Sequence, residues 1–75
     1  MTFREDVEKW FTDNGIVFTR VEQDGEISLV LHIPKSENEK VSLLKDKLEK
    51  DLKAISMQSD SFGMNVVVIE REELE

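Results

Sequence analysis

Seventy-five residues, 39% hydrophobic and 36% charged, are enough for one small domain and no more. Ten basic against seventeen acidic side chains give a net charge of −7, a field that opposes DNA, RNA and acidic membrane surfaces. There is no cysteine, so disulfides and thiolate metal sites are excluded, and the longest apolar run, Val66–Ile69, is far short of the ~18 residues of a bilayer span.

The first predicted element is a helix over about residues 2–14. Thr2 followed by Glu5 forms a capping box, and Phe3, Val7, Trp10 and Phe11 share one face. Gly15 supplies the left-handed residue that ends it. Two strands follow, about 16–22 and 26–33, rich in β-branched residues and joined at Asp24-Gly25, a strong hairpin signal. Pairing Gln23 with Glu26 sets Phe18 opposite Leu31 and Ile16 opposite Ile33. Ile27, Leu29, Leu31 and Ile33 then line a core face with Ile16 and Phe18.

Pro34 closes the second strand. Ser36 and Glu39 suggest another capping box and a helix over about 36–57, with Val41, Leu44, Leu48, Leu52 and Ile55 as its apolar stripe. Asp46 with Lys50, and Glu49 with Lys53, are acid-before-base pairs four residues apart on that helix. Residues 35–53 are net +1, so the remainder carries −8. The polar run Gln58–Ser61 reads as the turn out of the helix. A last strand, about 63–71, is apolar on both faces, and residues 72–75 form an acidic tail.

The expected order is α-β-β-α-β: an α+β two-layer sandwich with a three-stranded sheet and both helices on one face. The helical crossover makes the last strand parallel to the second, beside either strand of the hairpin. The segment Met1–Asp6 lacks the apolar core of a signal peptide, and a cytoplasmic setting is expected. Leu74-Glu75 has the form of a cloning remnant and is set aside.

Chemistry is sparse. His32 is the only histidine, without an evident catalytic or metal-ligating partner. The acid pairs fall at helix starts, a turn and the tail, where solvated charge is the simpler account. Isolated glycines make no phosphate loop, and no serine sits in a nucleophile elbow. The element order overlaps with KH-like RNA modules, but the Gly-x-x-Gly clamp and exposed strand aromatics are lacking and the charge has the wrong sign. The sequence therefore predicts no enzyme and no cofactor.

One constellation stands out. Val17, Thr19, Val21, Val30 and His32, with Val67 and Ile69 (or, on the other half of that strand, Met64, Val66 and Val68), would lie on a second sheet face that no element remains to cover. The predicted function is a non-catalytic protein–protein interaction module or homodimer using that face. The alternative is a small-molecule or metal-ion binding protein.

Overall fold

The computed structural model of the chain describes residues 2–61 and 64–72. Eight elements run in the order α1 (Phe3–Asp13), β1 (Arg20–Gln23), β2 (Ser28–Ile33), a 3-10 turn (Lys35–Glu37), α2 (Asn38–Leu43), α3 (Lys45–Leu52), β3 (Ala54–Ser61) and β4 (Met64–Arg71). The α+β class expected from sequence holds, but the described residues form three helices and a fourth strand. The sheet is fully antiparallel, with strand order β1-β2-β4-β3.

The first helix forms as its sequence dictates. Thr2 Oγ1 accepts the Glu5 N–H at 3.2 Å and the Glu5 carboxylate accepts the Thr2 N–H at 3.0 Å. Gly15, at φ 70°, reverses the chain, and the Ile16 N–H returns to the Phe11 carbonyl at 2.9 Å. A side chain at that positive φ would be strained.

The hairpin departs from expectation in register and extent. Gln23 faces Leu29 rather than Glu26, and residues 24–27 form a four-residue connection containing Gly25 at φ 83°. That slip of three residues is odd, so it inverts which side chains of β1 point inward. In the expected register Arg20 and Glu22 would share the core face with Ile16 and Phe18. In the observed one Val21 packs inward and both charges face water, which avoids the cost of burying an ion. Strand β1 also starts four residues late. The Val17 N–H is taken by Glu37 at 2.7 Å and the Gly15 carbonyl by Lys40 at 2.8 Å. Ile16 still reaches the core, from a loop.

The long helix expected over 36–57 is divided and shortened. The Ser36–Glu39 capping box does not form. Lys35–Glu37 is a 3-10 turn without a side-chain cap, and Glu37 serves Val17 instead. Leu44 sits off helical geometry between α2 and α3, and α3 ends at Lys53, whose φ is +52°. The stripe is otherwise correct as far as Leu52: Val41 and Leu48 are buried, with Leu44 and Leu52 packed against them.

The largest correction concerns residues 54–61. The sequence reading divided them between helix and turn, yet they form β3, a full-length partner of β4. With that extra strand present, β3 is the one parallel to β2 after the crossover. Strand β4 returns between them, antiparallel to β2 rather than parallel to it. Gly63 and tail residues 73–75 lie outside the described residues.

The core lies between the inner sheet face and the helices. Leu29, Leu31 and Ile33 of β2 and Val67 and Ile69 of β4 meet Val7, Trp10 and Phe11 of α1, and Val41 and Leu48. Phe11 stacks edge-on with Trp10 and Phe18, at centroid distances of 5.5 and 6.0 Å, within the range of favourable aromatic pairs.

Candidate protein interface

Because side chains alternate along a strand, the register assigns each residue to a face. The face opposite the helices carries three cross-strand rows. Met57, Val68, Val30 and Glu22 make one. Ser59, Val66, His32 and Arg20 make the second, and Ile55, Glu70 and Ser28 the third.

The rows are polarised. Their apolar end lies on β3 and β4, where Ile55 is 55% and Met57 63% exposed and Val66 and Val68 are half-buried. Their charged end is β1. There the Glu22 carboxylate takes Arg20 at 2.7 Å and His32 Nε2 at 3.2 Å. The hydrogen bond from His32, followed by the Arg20 charge, holds the Glu22 carboxyl below its ordinary value of 4.5. This satisfies the charges of the β1 end within one chain, while at the other end Ser59 and Glu70 flank the apolar side chains.

The residues that the sequence singled out divide three ways. Val30 and His32 do lie on the open face. Val21, Val67 and Ile69 belong to the core face, the first by the register shift and the other two by the parity of β4; Val67 and Ile69 are fully buried. The alternative half of β4 is the exposed one, through Val66 and Val68. Val17 is exposed but sits in the loop before β1, and Thr19 is bound at the strand's entrance, donating its N–H and Oγ1–H to the His32 carbonyl.

Ile55 and Met57 are assigned to a helix by the sequence because Ile55 continues the helical stripe, so their place on the open sheet face is not anticipated. The signal was present but short: Ile55-Ser56-Met57-Gln58 alternates apolar and polar residues with period two. The expected Glu49–Lys53 pairing gives way to a contact with this strand. Glu49 accepts the Ser56 N–H at 2.9 Å and lies 3.4 Å from Ser56 Oγ.

Two open grooves stand out elsewhere among the described residues. One of about 360 Å³ lies between α2 and β3, lined by Asn38, Glu39, Ser42, Gln58, Ser59 and Asp60. The other, about 430 Å³, has Asp6, Asp13 and Asp51 around Trp10, whose Nε1–H donates to Asp51 at 3.0 Å. Among the described residues no three His, Cys, Asp or Glu side chains are placed to hold a metal ion. No described helix is long and apolar enough to cross a membrane. No family model, curated protein or solved structure matches the chain.

Proposed function

We propose that this chain is a non-catalytic protein-association module whose contact surface is the open sheet face, with a second copy as its simplest occupant. The observation that carries the reading is the continuity of Val30, Val68 and Met57 across three strands, flanked by Val66 and Ile55, with every helix on the other side. Antiparallel sheets tolerate one wet face when that face is polar. Here the half nearest β3 carries Ile55, Met57, Val66 and Val68 with Ser59 and Glu70 at its margins, an apolar patch with a polar rim of the kind on which a partner surface packs.

Sedimentation equilibrium from micromolar to millimolar protein, paired with amide chemical shifts over the same range, tests it. The expected result is a mass rising above 8.7 kDa, with concentration-dependent shifts concentrated on Val30, Ile55, Met57, Val66 and Val68. A single species at the monomer mass throughout, with shifts indifferent to concentration, would overturn the proposal.

A further inference from the structure

The sheet has two unlike edges. Strand β1 is four residues long and carries Arg20 and Glu22, the charged, short form that discourages pairing. Strand β3 is eight residues long, and between Ala54 and Ser61 only Asp60 is charged. It contains no lysine, proline or arginine to protect it.

The orientation of its backbone can be read from one contact. The Ser56 N–H donates to Glu49 and so points away from β4. In an antiparallel strand, residues of the same parity direct both N–H and C=O to the same side. Ala54, Ser56, Gln58 and Asp60 therefore direct their backbone groups away from β4, with Gln58 and Asp60 exposed and Ala54 and Ser56 buried, while Ile55, Met57 and Ser59 use theirs on β4.

We infer that two copies of this chain join edge to edge through β3, antiparallel about a two-fold axis at Met57, making one continuous eight-stranded sheet. The inference rests on the self-association reading and specifies its geometry. Only registers that oppose even-numbered residues can form hydrogen bonds. Of these, the register centred on Met57 uses all of the outward-facing described residues. It pairs Ala54 with the partner's Asp60 and Ser56 with the partner's Gln58, and repeats both by symmetry. Moving the axis to Ser56 or Gln58 loses one such pair.

Two further features agree with it. The first is charge. Lys53 precedes the strand and Asp60 lies near its end, so an antiparallel partner brings its Lys53 to the end of the strand that carries Asp60, one residue along from it. A parallel partner would align like charges. The second is the row on the open face. Val30, Val68 and Met57 would continue directly into the partner's Met57, Val68 and Val30, so the aliphatic ends of two polarised faces become the middle of one.

Glu49 is then the brake. Its carboxylate occupies the Ser56 N–H that the partner's Gln58 carbonyl needs, and with Ala54 and Ser56 only 1% and 3% exposed, this cover must turn away for the edges to meet. Removing it favours the paired state.

The chain has no cysteine, so single cysteines report the register cleanly. Met57→Cys would cross-link to its own copy under mild oxidation, because residues opposed at a non-hydrogen-bonded pair lie roughly 4.5 Å apart at Cα, within disulfide range. Ile55→Cys would not self-link, but would link to Ser59→Cys when the two are mixed. Glu49→Ala should tighten association by about tenfold, the effect of one unmet hydrogen bond. Gln58→Pro, which removes an outward N–H on an edge strand, should leave the circular dichroism spectrum unchanged and the protein monomeric. A dimer that survives Gln58→Pro and refuses the Met57→Cys cross-link would overturn the edge register while keeping self-association through the open face. A chain that stays monomeric at millimolar concentration, with or without Glu49→Ala, would overturn both.

Discussion

The two faces of this sheet are built from adjacent residues of the same strands, yet they answer to different constraints. On β4, Val67 and Ile69 are completely enclosed, whereas Val66 and Val68, their immediate neighbours, are half open to water. Residue type does not distinguish them: all four are β-branched aliphatics favoured in strands. What separates them is what lies above. Trp10, Phe11 and Leu48 cover the inner face, and nothing in the described chain covers the outer one. Valine is thus needed for packing on one side and available for contact on the other.

The sharpest way to break this comparison is one substitution made on each side. Val67→Asp would place an unpaired carboxylate in the core. That costs several kcal/mol, a large part of the roughly 4–11 kcal/mol expected of a domain this size, and should leave the protein unfolded by circular dichroism. Val68→Asp places the same group against water and should cost about 1 kcal/mol or less, so the protein still unfolds cooperatively in urea. If both variants unfold alike, the outer face is covered by its own chain and the distinction drawn here is wrong.

A milder test stays within the apolar class. Leu48 is fully buried where α3 crosses the sheet. Leu48→Ala should lower the unfolding free energy by about 2–5 kcal/mol, seen as a fall in the urea midpoint at an unchanged slope. Removing a side chain of similar size from the open face, as in Met57→Ala, should not.

The inner face was the legible part of the sequence. Val7, Trp10 and Phe11 at helical spacing, and Leu29, Leu31 and Ile33 at period two, announce their partners, because burial on one side leaves a periodic trace. The outer face was harder to read for the same reason. Strand β3 is exposed, so little burial marks its pattern, and Ile55 falls in phase with the stripe of α3. The helix stops at Lys53 in a left-handed conformation that glycine or asparagine would have signalled and lysine does not. The β1 register was hidden too. It depends on a four-residue connection that Asp24-Gly25 also permits, and on Glu37 drawing Val17 away from the sheet across twenty residues of sequence. The candidate residues on β2 therefore lie on the open face as expected, whereas Val21 on β1 and Val67 and Ile69 on β4 lie on the core face.

Glu37 gives a smaller effect that touches only the inner side. It is buried, and the Val17 N–H that it accepts, with Lys40 nearby, holds its carboxyl below 4.5 in the folded protein. The folded-state value is depressed relative to the unfolded one. Its stabilisation is therefore fully present above pH 4.5 and is lost as pH falls through the depressed value. Glu37→Gln retains an oxygen to accept the Val17 N–H but cannot ionise. Its urea stability at neutral pH should lie below the parent's, and the gap between the two proteins should narrow as pH drops below 4.5. A gap independent of pH would mean that the carboxylate charge contributes nothing to the anchor.

The smallest effect on stability is the one that most sharpens the comparison. Ile55→Thr and Met57→Thr, alone or together, keep β-propensity and remove aliphatic surface where the chain is already more than half exposed. Thermal unfolding at low protein concentration should move each by no more than about 0.5 kcal/mol, as for other surface changes. At high concentration the double variant should lose the concentration dependence of its midpoint, since a folded state that associates is stabilised by mass action and one that does not is indifferent to dilution. A substitution silent in the dilute protein and visible only in the concentrated one locates the role of these side chains between molecules. The inner face, treated in the same way, would fail at every concentration.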